Sequence, residues 1–398
     1  MKKITTIVIF IFSAAVLTAC SFLGKNVHDF QKNIIFMVPD GMGLSNTTAA
    51  RIFKNGPNGA RLNFETLDNI GYQSTHSKNS TVTDSAAAAS AWAVGEKFNN
   101  GEISCHDDDS DGTCDGEPAL TILDIAKSKG MATGLVATSD ITHATPAAFG
   151  ATVHNRKCEE EIARQFLARD IDVLLGGGIA GNRSSCKLSP SEGDWLNSLL
   201  TEYTHAGYAV VNTKADMEAA VNGGKERLLG LFKSGGKTQE LFRVGLGAEL
   251  EYPEPTLAEM TAAALDILEK NRDGLFLMVE GSQIDWENHD NDVNGQIAET
   301  LGFDAAVKVV LDWVNANPVR KMSTQVIVVA DHDCGGMGIN GPGSSLSEAG
   351  DIVQVDWTSD GHTGVDTIVY SQGPLTWKLN KAVDNTFLND VMEEFLKR

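Results

Sequence analysis

The stretch IIFMVPDGMG, Ile34 to Gly43, is an unbroken apolar run that stops at Pro39 and passes directly into an acid and two glycines. A short continuous run of β-branched and other apolar residues, closed by turn formers, reads as a strand buried on both faces. Five more runs repeat the pattern: Met131 to Ala137, Ile171 to Leu175, Leu275 to Val279, Val326 to Ala330 and Thr367 to Tyr370. Between them lie helical patterns. Thr256 to Lys270 puts Leu257, Met260, Ala264, Leu265 and Leu268 on one side, and Gln296 to Asn315 is a second such segment. The alternation predicts an α/β fold, a three-layer sandwich in which helices flank a large, mostly parallel central sheet.

The strand ends carry the chemistry. The first run ends in Asp40-Gly41-Met42-Gly43, LFLMV ends in Glu280-Gly281, and VIVVA ends in Asp331-His332-Asp333. Open α/β sheets bind ligands beyond the carboxyl ends of their strands, so these acids are expected to converge. Asp285 and His289 stand at i and i+4 in SQIDWENH, a spacing that puts a carboxylate and an imidazole on one helix face. His362 lies between glycines in DGHTG, where the backbone can approach a crowded site.

Sorted by donor type, Asp285, His289 and His362 form a mixed nitrogen and oxygen set suited to one catalytic zinc, and Asp40, Asp331 and His332 form a second. Two such ions ~3.5–4 Å apart hold both oxygens of an in-line phosphoryl displacement. The oxygen-only groups of Thr145, Glu280 and a shared Asp40 suit magnesium. Ser85 opens the small-residue run SAAAASAW, a helix that Asp84 would cap. A serine hydroxyl needs activation, which a cation and the positive helix terminus supply, so Ser85 is the expected nucleophile and Zn2+ ligand. Arg156, in HNRKC, provides a planar fork for two phosphate oxygens, with Asp84 as its orienter.

At 398 residues with 42% hydrophobic content the chain has material for one large domain. Its 53 acids against 32 bases give a formal charge of -21, which argues against nucleic acid or an anionic membrane surface as a partner. MKKITTIVIFIFSAAVLTAC reads as a signal peptide over residues 1–19, with Cys20 placed for lipidation after a lipoprotein-type L-T-A-C ending. The expected location is therefore periplasmic or cell-surface, with a lipid anchor as the only membrane attachment and residues 20–398 as a single domain. Of the other cysteines, proximity pairs Cys105 with Cys114 and Cys158 with Cys186, leaving Cys334 as a buried free thiol.

With VPDGMG, VTDSAAAASAW, THATPAAF, HNRKC, MVEGSQIDWENH, VVADHD and DGHTG in this order, the chain resembles the bacterial alkaline phosphatases from about Asn33 to near its end. The resemblance implies a phosphomonoesterase of broad specificity acting on small phosphomonoesters, with Ser85 forming a phosphoserine intermediate. It implies two Zn2+ and one Mg2+ held by the three sets above, with Arg156 on the substrate phosphate. His143 stands where the best-known form has an aspartate near the magnesium, and Trp286 where it has a lysine near the phosphate. Both are expected beside the substrate, and His143 is expected to weaken magnesium binding. The resemblance also implies a homodimer, and the short stretch between Cys334 and Gly361 implies a small, reduced crown region.

Asp107, Asp109, Asp111 and Gly112 match the start of a calcium-binding loop of the EF-hand type, but position 12 is Pro118, so an acidic disulfide loop held on the surface is the favoured reading and a calcium site with truncated coordination the alternative. The rival readings are a phosphodiesterase or sulfatase of the same superfamily, or a lipid-anchored zinc or phosphate binding protein without turnover. Ser85 in place of an oxidised cysteine excludes the sulfatase, and a nucleophile beside two open metal sites exceeds what capture requires.

Overall fold

The computed structural model describes residues 31–116, 120–178, 195–245, 253–341 and 345–398. The signal segment, Cys20, Pro118 and Cys186 lie outside them. In chain order the strands are β1 (Lys32–Pro39), β2 (Asn69–Ser74), β3 (Ala132–Asp140), β4 (Val173–Gly177), β5 (Ala209–Val211), β6 (Leu228–Leu231) and β7 (Gly274–Gly281). They continue as β8 (Thr324–Val329), β9 (Asp333–Cys334), β10 (Gly338–Gly341), β11 (Gln354–Asp356), β12 (His362–Thr363), β13 (Thr367–Gln372) and β14 (Ala382–Asp384).

Ten of these strands form one sheet in the order β14-β2-β13-β8-β1-β7-β3-β4-β6-β5. Every adjacent pair is parallel except those of β13, which runs antiparallel to both β8 and β2. Among the described residues no helix separates β8 from β13, and an antiparallel neighbour needs no crossover helix. The three-layer α/β expectation holds. All six expected strands are present, while β2, β5, β6 and β14 are additional; they are short, and β2 interrupts its apolar residues with Gly71 and Gln73.

Strand periodicity decides which layer each side chain enters. On β1, Ile34, Phe36 and Val38 join Trp92, Phe149 and Phe276 on one face, while Ile35 and Met37 join Phe64, Leu265 and Phe303 on the other. Both faces are covered, so the central strands read as continuous apolar runs, and each fully buried large side chain contributes roughly 1.5–3 kcal/mol. Thr256 caps the helix Leu257–Leu268 in a capping box with Glu259, and Val293–Asn315 is the longest helix among the described residues.

The helix Ser85–Val94 is buried all round its first nine residues. Asp84 caps it by accepting from the Ala87 N–H at 3.0 Å, and Gly95 ends it in the left-handed conformation. Trp92 fixes its far end by packing against Phe36, ring centroids 5.1 Å apart, and by donating from Nε1 to Gln73 Oε1 at 2.9 Å. This helix is thus a rigid mount for Ser85, which sits at its first residue beyond the carboxyl edge of the sheet.

Candidate active site

Asp40 follows β1, Glu280 is the penultimate residue of β7, and Asp331 and His332 follow β8. These strands are neighbours in the sheet, so the topology delivers the acids to one edge. The helix Gln283–His289 begins two residues after β7 and presents Asp285 and His289 one turn apart. Gly41, at φ 69°, packs so tightly on Asp285 that an added Cβ would lie 2.6 Å from Asp285 Oδ1. The Gly41 N–H donates to Asp331 Oδ1 at 3.1 Å, and its carbonyl accepts from Asn288 Nδ2 at 3.0 Å and from the Cys334 N–H at 3.1 Å. The β9–β12 pair brings His362 opposite Cys334.

Three donor groups result. In the first, Nε2 of His289 and of His362 lie 3.3 and 3.5 Å from the two oxygens of Asp285. Each ring turns its Nδ1 to a backbone carbonyl, His289 to Asp360 at 2.6 Å and His362 to Thr83 at 2.9 Å, which aims Nε2 inward. In the second, His332 Nε2 lies 3.0 Å from Asp331 Oδ2 and 3.7 Å from Asp40 Oδ1. The third joins Asp40, Glu280 and His143, with the donor atoms within 4.8 Å of one another, and the Thr145 hydroxyl beside Glu280. The rings of His332 and His362 stack at 3.5 Å, so the first two groups share a wall.

The electrostatics of the cluster call for cations. Both oxygens of Asp40 and of Glu280, Asp285 Oδ1 and Asp331 Oδ2 are buried without a hydrogen-bond partner. Burying anionic oxygens that way is costly unless positive charge accompanies them. Burial, then Asp331, Asp285 and Glu280, push Asp40 well above the usual carboxylate range, and burial lifts Glu280 to about 7. Burial would lift Asp331 too, but His332 against it holds it low. The Asp285 hydrogen bond pushes His289 up to about 9, whereas burial and then His332 lower His362. These acids and imidazoles would hold a metal ion in place of the protons they share. The donor types fit zinc in the first two groups and an oxygen-preferring ion in the third.

Ser85 Oγ is buried 3.4 Å from His332 Nε2. Arg156 spans the opening, donating from Nη1 to Asp84 Oδ2 at 3.0 Å and from Nη2 to His143 Nε2 at 3.0 Å. That second bond makes His143 a neutral acceptor; burial first, and then the guanidinium, lower its pKa to about 3. Trp286 meets His143 edge-on at 6.3 Å between centroids. Its far edge is held by the loop at Gly236, where an added Cβ would come within 2.4 Å of the indole.

The sequence profile of the alkaline phosphatase family matches residues 31–351. The chain belongs to the alkaline phosphatase family. It is 33% identical to alkaline phosphatase 3 of Bacillus subtilis, over 91% of this chain and 88% of that protein. Among solved structures it is similar to a cold-active alkaline phosphatase from Shewanella sp., with a TM-score of 0.76 at 29% identity over 92% of this chain and all of the other. A solved variant of the alkaline phosphatase from the Antarctic bacterium TAB5, with a histidine replaced by aspartate and magnesium bound in its M3 site, matches with a TM-score of 0.74 at 28% identity, covering 92% and 98% of the two chains. An alkaline phosphatase is a hydrolase that binds metal, and the donor groups above are arrangements of acids and histidines that could hold one.

The structure adds detail to the readings of the acidic loop and of the cysteines. The acids that approach one another in the loop are Asp107, Asp109 and Asp115. Asp111 instead accepts from the N–H and hydroxyl of Thr113, because the chain turns tightly through Gly112 at φ 85° before closing at Cys114. The Cys105–Cys114 disulfide is formed, Cys158 is disulfide-bonded, and Cys334 is a buried free thiol. Expected only as a spare thiol, Cys334 also joins the site: its sulfur lies within 4.8 Å of the Asp285, His289 and His362 donors. The signal available was its spacing, since His332 and Cys334 are two apart and an extended chain puts such residues on the same face.

Proposed function

We propose that this alkaline phosphatase hydrolyses a broad range of phosphate monoesters through a phosphoserine at Ser85. The reading rests above all on the position of the Ser85 hydroxyl, 3.4 Å from His332 at the head of a buried helix and beside buried carboxylate oxygens without a hydrogen-bond partner. Two zinc ions, held by Asp285, His289 and His362 and by Asp40, Asp331 and His332, with magnesium at Asp40, Thr145 and Glu280, would stabilise the charge on the attacking and leaving oxygens.

The chain's own groups do the rest. Arg156 is preset by Asp84 and His143 to receive two phosphate oxygens bidentately. The N-terminus of the Ser85–Val94 helix adds its dipole toward the bound anion. The Ser85 hydroxyl gives its proton to solvent as Oγ attacks phosphorus in line with the ester oxygen, whose P–O bond breaks and whose alcohol leaves with a proton from solvent. Water then attacks the phosphoserine, and the P–Oγ bond breaks to release inorganic phosphate and restore the hydroxyl. None of these contacts addresses an organic group, which supports breadth in the alcohol portion.

His143 brings an imidazole where a carboxylate would hold magnesium more firmly, so the third ion is the most weakly held. Export with lipidation at Cys20, a periplasmic or cell-surface location, a single domain over residues 20–398, a Cys158–Cys186 disulfide and a homodimer complete the proposal. Acid quenching during turnover of a chromogenic monoester, followed by peptide mass spectrometry, tests it. Phosphate on the peptide containing Ser85, with slower turnover of the matching diester, is the expected result; an unmodified Ser85 under accumulating conditions or a faster diester overturns it.

A further inference from the structure

We infer that Cys334 is a fourth protein donor of the Asp285, His289 and His362 group, giving that site a soft sulfur ligand and a preference for thiophilic divalent cations. The inference rests on that group being a metal site and adds a ligand that the zinc assignment above does not use.

The backbone places the thiol there from three directions. β9 pairs with β12 in the register that sets Cys334 opposite His362. The Cys334 N–H is tied to the Gly41 carbonyl at 3.1 Å, and the same glycine packs directly on Asp285. Immediately afterwards Gly335 and Gly336 take φ of 77° and 57°, turning the chain away so that Cys334 ends against the donor group rather than continuing past it. The residue is completely buried and free of any disulfide.

A second observation points to a ligand between these atoms. Asp285 is 5% exposed, and its Oδ1 has no hydrogen-bond partner although the Cys334 sulfur and the His362 nitrogen lie around it. The four donor atoms are all within 4.8 Å of one another, a spread that one ion can bridge with bonds of ~2.0–2.3 Å after small side-chain adjustments. Asp285 and Cys334 line the buried wall, while His362 is partly exposed and His289 more so, so the ion's remaining face is on the solvent side where substrate enters. On binding, the S–H bond breaks, the proton goes to solvent, and the sulfur electron pair forms the bond to the metal. Thiolate ligation shifts preference toward softer ions, cadmium over zinc.

The test is titration of Co2+ into metal-stripped protein, for wild type and Cys334→Ser, read by absorption, with Cd2+ against Zn2+ competition measured on both. Expected are visible cobalt bands in both proteins, a near-ultraviolet sulfur-to-cobalt charge-transfer band in wild type alone, and a cadmium-to-zinc affinity ratio about tenfold lower in Cys334→Ser. Cobalt bands without the charge-transfer band in wild type overturn the inference and leave the three-donor site standing, whether or not the variant folds. An unchanged cadmium-to-zinc ratio in a folded variant overturns it as well. Absence of any cobalt band in wild type overturns both the inference and the metal site beneath it.

Discussion

The Ser85 hydroxyl oxygen stands 3.4 Å from Nε2 of His332, across 247 residues of chain. Two buried elements hold this approach: the Ser85–Val94 helix and the segment following β8. Replacing Ser85 with alanine removes the nucleophile while leaving the Asp84 cap and the donor groups intact. We expect kcat/KM to fall by ~10³-fold or more. With zinc in excess, Asp40, Asp331 and His332 should still hold the second ion without the Ser85 ligand, and unfolding free energy should change by less than about 1 kcal/mol, as checked by elemental analysis and denaturant melts.

Arg156 is held at both ends of its fork, by Asp84 and by His143. Arg156→Lys keeps the charge but not the planar pair of donors. Losing one charge-assisted hydrogen bond costs about 1.5–3 kcal/mol, so kcat/KM should drop roughly 10- to 150-fold. Product inhibition by inorganic phosphate should weaken in parallel, measurable by steady-state kinetics.

His143 accepts from Arg156 beside the Asp40 and Glu280 carboxylates, and its low pKa keeps it neutral at working pH. His143→Asp exchanges a neutral nitrogen donor for an anionic oxygen near an oxygen-preferring site. Calorimetric titration should show magnesium binding about tenfold tighter or more in the variant. Unchanged affinity would remove His143 from that site.

Much of this site was legible because its residues close apolar strands: a run such as Ile34 to Val38 fixes both the strand and the point where Asp40 emerges. The i, i+4 spacing of Asp285 and His289 similarly survived folding, as helix Gln283–His289. What the sequence hid depends on pairing between distant segments. Cys334 enters the donor group only through the β9–β12 register with His362. β13 runs antiparallel because of the excursion that precedes it, which no local pattern announces. In the acidic loop, a turn at Gly112 decided that Asp115 rather than Asp111 approaches Asp107 and Asp109.

Glu299, on the long helix Val293–Asn315, is buried and receives the Glu240 N–H at 2.6 Å. Burial, with the Glu240 and Glu287 carboxylates nearby, pushes it up to about 8 from an ordinary value of 4.5. The folded state therefore keeps a proton that the unfolded chain releases between these values. Its contribution to stability is fully present below the unfolded value and is lost as pH rises through about 8. Glu299→Gln should therefore gain stability relative to wild type on going from acidic to alkaline conditions, on the order of 2–4 kcal/mol, in denaturant melts at about pH 5 and about pH 9. An equal difference at the two pH values would contradict the assigned burial effect.

The most direct measurement is anomalous diffraction at the zinc edge from crystals grown with zinc. The expected map has one peak bounded by Asp285, His289 and His362 and another bounded by Asp40, Asp331 and His332, with the ions ~4 Å apart and Ser85 Oγ facing the second. A map without zinc among those side chains, or with the Ser85 oxygen turned away from it, would contradict the account.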